Sequence, residues 1–193
     1  MIRYYPRRAW PTVVKTMLLI LITPAAGAEW QADVSNPRQA SAAQELARFR
    51  ADVPRSARFF EEAYGYAILP SVTRLGAGFG GAYGRGIVVQ GDKVIGSTNF
   101  WQFTSGIQAG ARYFSMIVFF KDKDALDYFT QERMRFMGQA GIAIATLGAS
   151  GTPAYNDGVA IITRTRFGLM GEFTISGARY TYRPYAIEQQ ADR

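Results

Sequence analysis

The 193-residue chain has no cysteine and no histidine. The two absences together exclude Ser-His-Asp triads, imidazole bases, His- or thiolate-ligated metals, thiol nucleophiles and disulfides. Acidic residues are few, 15 against 22 Lys and Arg, for a formal charge of +7. The apolar stretch from Val13 to Ile22 is interrupted by Lys15 and Thr16. It falls short of the roughly 20 residues that a membrane-spanning helix needs.

The beginning of the chain has instead the pattern of an export signal. Arg3, Arg7, Arg8 and Lys15 form a basic start without any acid, MLLILI follows, and Ala26-Gly27-Ala28 offers a small-x-small cleavage site before Glu29. Residues 1–28 are therefore expected to be a signal peptide, which places the mature protein in the periplasm or outside the cell. Removing those four cations leaves 18 basic against 15 acidic residues, a net charge of +3. So small an excess argues against a nucleic-acid partner.

With 48% hydrophobic and 14% aromatic residues, the remainder is rich enough for one globular domain. Residues 29–41 carry Pro37 and several polar groups and are expected to form a flexible arm. Leu46, Phe49 and Val53 then follow helical spacing up to Pro54, which should break or kink the helix. A second helical pattern sets Phe59, Phe60, Ala63, Tyr64 and Ala67 on one side and Glu61 and Glu62 on the other, with Gly65 either ending the helix or within its last turns. From Val72 the period becomes two. A hairpin turn is expected at Gly91-Asp92, and two strands or one bent strand over Phe100–Phe120. Asp122 suits the N-cap of a short helix carrying Ala125, Leu126 and Phe129. FMGQAGIAIA, GVAIITRTR and GEFTISGARYTYRP supply further strands, and residues 187–193 form a polar tail. Gly110-Ala111-Arg112-Tyr113 recurs as Gly177-Ala178-Arg179-Tyr180, a faint sign of repeated hairpins. The expected class is α+β: one domain with a mainly antiparallel, strongly curved sheet and helices packed on it.

Gly76, Gly78 and Gly81 spell the G-x-G-x-x-G of dinucleotide-binding loops. That loop must open onto a helix whose amides meet the pyrophosphate. Here Ile87-Val88-Val89 follows, which favours a strand, so neither nucleotide nor any other cofactor is expected. Parity gives a better account. Gly76, Gly78, Gly80, Ala82, Gly84 and Gly86 make every even position small, while Phe79, Tyr83, Arg85 and Ile87 carry the side chains on the other face. A strand shaved flat on one face admits close approach by a helix or another strand, or a sharp bend.

The blocks GYAILPSVTRLGAGFGGAYGRGIVV, SGIQAGARYFSMIVFFKDKDALDYF and GLMGEFTISGARYTYRP, in this order and spacing, resemble the SYLF domain. The resemblance runs from about Ala42 to Pro184, within an expected domain of residues 42–186. SYLF domains occur in eukaryotic endocytic proteins that bind phosphoinositides and actin, and in exported bacterial proteins. The resemblance implies a non-enzymatic lipid-binding module that touches membranes through basic, amphipathic helical surface. Arg74 and Arg85 fall where the family pattern has basic residues, and Tyr66, Pro70, Gly81 and Tyr83 on positions that look structural. The chain departs from the pattern in having no SH3 or FYVE-like partner domain and no cysteine for a lipid anchor. For an exported protein, the implied ligand is therefore another anionic phospholipid surface.

On that reading Arg48, Arg50, Arg55 and Arg58 face headgroups while Phe49 or Phe59 inserts shallowly. The plainer alternative packs the same helix on the sheet with its arginines solvated. Arg164 and Arg166 either rim an anion pocket or are outward charges at a strand end, and Arg112 and Arg179 share that ambiguity. Asp122, Asp124 and Asp127 lack the spacing of a calcium loop. Glu61 and Glu62, adjacent on a helix, point in different directions. Two other classes compete: a small outer-membrane β-barrel, opposed by the helical segments, and an enzyme relying on carboxylates alone.

Overall fold

The computed structural model describes residues 30–131, 135–137, 144–146 and 154–185. The expected signal peptide and polar tail lie outside them. Asn36 opens the first helix by accepting the Arg38 amide hydrogen at 3.0 Å, and Pro37 takes a first-turn position where no amide hydrogen is needed. Helix α1 (Pro37–Asp52) buries Ala42, Glu45, Leu46 and Phe49 along one stripe. The supposed flexible arm is thus largely structured: the helix starts inside it, and Trp30 is only 4% exposed in the core. A strong cap and one large indole outweigh the polar composition there.

Pro54 ends α1 as expected and starts a single 3-10 turn, η1 (Pro54–Ser56), followed by the short α2 (Ala57–Glu62). The second helical pattern, with Gly65 as its end or within its last turns, extends past the helix that forms. That helix stops at Glu62 because Tyr66-Ala67-Ile68-Leu69 is buried on both faces of a strand, a placement that β-propensity favours.

Three very long strands follow: β1 (Gly65–Gln90), β2 (Lys93–Phe120) and, after the helix α3 (Lys123–Thr130), β5 (Val159–Pro184). Two three-residue strands, β3 (Arg135–Met137) and β4 (Ile144–Thr146), lie on β5. The sheet order is β1-β2-β5-β3, with every pairing antiparallel except β4 on β5, so the α+β class with a mainly antiparallel sheet holds. Gly91, with φ +58, and Asp92 turn the β1–β2 hairpin where expected. Phe100–Phe120 belongs to one strand. Asp122 caps α3 by accepting the Ala125 amide hydrogen at 2.9 Å.

The register slips by one residue between Leu69 and Val72, and Pro70, which cannot donate to a ladder, sits in this bulge. The slip exchanges the faces of β1. Ala67 and Leu69 point to the same side as Val72 and Ala82 further on, and all four join one core cluster. A second slip, between Ala77 and Phe79, gives β2 two extra residues opposite Gly78, whose φ is +77.

At that crease β1 doubles back on itself. A Cβ placed on Gly86 would lie 2.1 Å from the Ile68 carbonyl oxygen, and one on Gly84 would lie 2.7 Å from Val72 Cγ2 and 3.2 Å from the Ser71 oxygen. A Cβ on Gly65 would meet the Val89 oxygen at 2.7 Å. The flat glycine face therefore does admit a close neighbour, and that neighbour is the beginning of the same strand. Gly78 differs, because nothing lies within 4 Å of its would-be Cβ.

Doubling the sheet encloses an inner core that joins Val72, Phe114, Met116 and Val118 to Val88, Phe100 and Tyr180, sealed by Leu126 and Phe129 of α3. The Tyr180 hydroxyl donates to the Met116 sulfur at 3.6 Å across this interior. On the outer side, Trp30, α1 and α2 cover Ile68, Ile87, Val89, Ile117, Phe119 and Ile162.

Candidate membrane-contact site

The apolar face beneath the helical arginines is committed to the protein itself. Glu45 of α1 is 1% exposed and faces the sheet. It accepts from Ser115 Oγ at 2.6 Å, from Arg164 Nη2 at 2.6 Å and Nε at 3.1 Å, and from Arg48 Nη1 at 3.3 Å. Arg164 Nη1 also reaches Asp52 Oδ2 at 3.2 Å. Burial by itself raises the Glu45 pKa. The hydrogen bonds from Ser115 and Arg164, with the charges of Arg164 and Arg166, outweigh it and hold the carboxyl below its ordinary value. Arg164 thus shares the Ala160–Ile162 face as expected, but the anion that it meets is Glu45. Arg166 is exposed and donates to the Pro70 carbonyl at 3.3 Å.

Arg50 lies 5.2 Å from the centre of the Phe60 ring and Arg58 4.6 Å from that of Phe59. Phe49 and Phe59 are 0% and 1% exposed, so neither can insert into a bilayer in this structure. Phe59 packs 5.4 Å from Phe119 and 5.1 Å from Tyr155 instead. Its spacing on α2 marks an apolar face, and the sheet claims that face. Arg55 lies in η1, and its side chain is outside the described set. Arg74 is also misplaced for a lipid contact: it is 6% exposed on the inner side, directly opposite Arg112. Arg112 in turn lies 5.1 Å from the Phe114 ring.

The two G-A-R-Y pieces are not equivalent. Tyr113 is exposed and Tyr180 buried, while Arg112 is half-buried and Arg179 exposed. Arg112 lies opposite Gly168, an odd number of residues from Arg179 along β5 with no register shift between them, so the two copies fall on opposite faces.

Of the predicted residues, Arg50 and Arg58 on the helices are exposed, and so is Arg85 on the sheet, with its guanidinium 5.6 Å from the Tyr83 ring. Its surroundings form the site that sequence reasoning missed. On the outer face, beyond the cover of α1, the register sets up successive rows. Arg85 lies opposite Asn99, which faces Thr181 on β5; Tyr83 lies opposite Trp101, which faces Arg179; Gly81 lies opposite Phe103. Phe79 stands diagonally beyond Phe103 on the same face, opposite Ser105. The rings of Tyr83 and Trp101 pack with centres 4.3 Å apart, tilted by 47°. Phe79, Phe103 and Trp101 are 70%, 64% and 55% exposed.

Charge follows the same division. The three long strands carry Arg74, Arg85, Lys93, Arg112, Arg164, Arg166, Arg179 and Arg183 against one acid, Glu172. The helical region from Pro37 to Glu62 is nearly balanced, with Arg38, Arg48, Arg50, Arg55 and Arg58 against Glu45, Asp52, Glu61 and Glu62. The signal was present in the sequence: Phe-x-x-x-Tyr-x-Arg at odd positions from Phe79, alternation of Trp101 and Phe103, and only Asp92 as an acid between Ala63 and Lys121. Among the described residues no group of three or more acidic side chains is placed to hold a metal ion.

No protein-family model matches the chain, and no solved structure does. A similar relative is Beta cell expansion factor A of Aeromonas veronii, 28% identical over 137 residues, which cover 70% of this chain and 52% of the relative. The chain thus spans about half the length of that protein.

Proposed function

We propose that this chain is an exported, non-enzymatic, single-domain module of SYLF type that associates peripherally with anionic phospholipid. The observation that carries the reading is the set of exposed cations on the outer face of the sheet, Arg85, Arg179 and Arg183, beside exposed aromatic side chains. Large exposed aromatic groups rimmed by arginine suit an interface with an apolar interior and an anionic rim, as a phospholipid surface has. The resemblance in sequence points to the same class of ligand. The basic surface proposed to make contact is that of the sheet, where the exposed cations stand beside exposed aromatic rings; on the helices Arg48 pairs with Glu45, and Arg50 and Arg58 lie over the rings of Phe60 and of the buried Phe59.

Sedimentation with vesicles tests this. Binding should require phosphatidylglycerol in a phosphatidylcholine background and weaken as salt rises. Arg85→Glu with Arg183→Glu, both at exposed positions, should weaken it by about tenfold or more, at roughly 1 kcal/mol for each cation near the surface. Arg50→Glu with Arg58→Glu should change it much less. Equal binding to neutral vesicles at every salt concentration overturns the electrostatic reading.

A further inference from the structure

The sheet reading says which lipid charge is recognised, and it leaves open how the protein sits on the surface. Resting on that reading, we propose that the bare outer face near the crease enters the boundary between headgroups and acyl chains, with Phe79, Trp101 and Phe103 as the inserting side chains and α1 turned toward solvent.

Three observations carry this. The side chains are large, apolar and more than half exposed, with Phe103 two residues from Trp101 on β2 and diagonal to Phe79 across the β1–β2 ladder. A contiguous apolar patch of this kind is unusual on a surface that meets only water. Next, cations border the patch: Arg85 stands beside Tyr83, and Arg179 stands opposite Trp101. Aromatic rings at the depth of the headgroups, with arginine reaching phosphate, is the arrangement by which proteins anchor shallowly in a bilayer. Finally, the outer face divides along its length. Trp30, α1 and α2 cover its other end, and among the described residues the large exposed apolar side chains of this face lie toward the crease.

A second copy of the chain fits this face less well. A two-fold contact through it would set Arg85 and Arg179 of one copy against the same residues of the other, and the three long strands carry a single acid, Glu172, against their eight cations. Anionic lipid has the complementary charge.

The experiment uses protein starting at Glu29 and carrying Trp30→Phe, so that Trp101 is the only indole. With phosphatidylglycerol-containing vesicles, Trp101 emission should shift to the blue and be quenched by lipids labelled near the headgroup. In native background, Phe79→Ser with Phe103→Ser should lower partitioning about tenfold or more while leaving its salt dependence in place. Tyr128→Ser, an exposed aromatic on α3, should not. If Trp30→Phe does not fold, the same shift should be present in native protein and absent from Trp101→Phe. Anionic-dependent binding with unchanged Trp101 emission and an unaffected double variant overturns the insertion and leaves the charge reading standing. Absence of any binding by the native protein overturns both. Loss of self-association in the double variant, with vesicle binding unchanged, makes the face a contact between copies and also overturns the proposal.

Discussion

At the scale of single residues, Glu45 is the acid on which the helix–sheet contact depends. It sits on the apolar stripe of α1, three residues after Ala42 and four before Phe49, where a lone carboxylate would be costly to bury. Ser115 and Arg164 make the burial tolerable, and Arg164 would keep only Asp52 if Glu45 were neutral. Glu45→Gln should therefore destabilise the fold by roughly 2–3 kcal/mol at neutral pH, since it leaves a mostly buried guanidinium short of charge. The pH dependence has a definite sign. The folded-state pKa lies below the ordinary value of 4.5, so the contribution is present above about that pH and is lost as pH falls through the folded value. Denaturant titrations at several pH values should show the native protein losing this increment below pH 4.5, and the Gln variant lacking it. A parallel loss in both proteins would place the acid sensitivity elsewhere.

Among the elements, β1 is the one whose shape depends on glycine for two different reasons. At Gly86 the reason is space: a methyl group would meet rigid backbone at 2.1 Å. At Gly78 it is conformation, with φ +77 and open surroundings. Gly86→Ala should accordingly destabilise by at least about 2 kcal/mol through overpacking, and Gly78→Ala by only about 1 kcal/mol of backbone strain. Thermal unfolding would separate them, at roughly 2–4 °C per kcal/mol for a chain of this size. Equal shifts would mean that the two ends of β1 are not in contact. The glycine pattern was legible as a flat strand face, and so was the strand, in place of a helix, that continues through Ile87-Val88-Val89. Its partner was not legible, because a strand touching its own beginning leaves no periodic trace.

For the whole molecule, the expected processing site and the core meet at one point. Cleavage before Glu29 would leave Trp30, 4% exposed, as the second residue of the mature protein and an anchor of the outer core. Protein starting at Glu29 should therefore be fully stable. Protein starting at Asp33 should lose about 3 kcal/mol, as expected for a buried aromatic side chain removed from a core. Chemical denaturation of the two proteins checks this, and equal midpoints would show that Trp30 adds nothing.

The sequence by itself determined the chemistry that is excluded, the α1 stripe, the Pro54 break, the hairpin at Gly91-Asp92, the cap at Asp122 and the predominance of strands. Each rests on interactions within a few residues, or on composition, and is written locally. Only the tertiary structure decided that Phe59 and Arg74 are interior, that Glu45 binds Arg164, and that the bare face carries Phe79, Trp101 and Phe103. An amphipathic helix shows that it has an apolar side, and nothing in its spacing says whether sheet or membrane covers that side. The bulge at Pro70 and the doubling of β1 supply the answer. They fix which strand face α1 can reach and which remains uncovered.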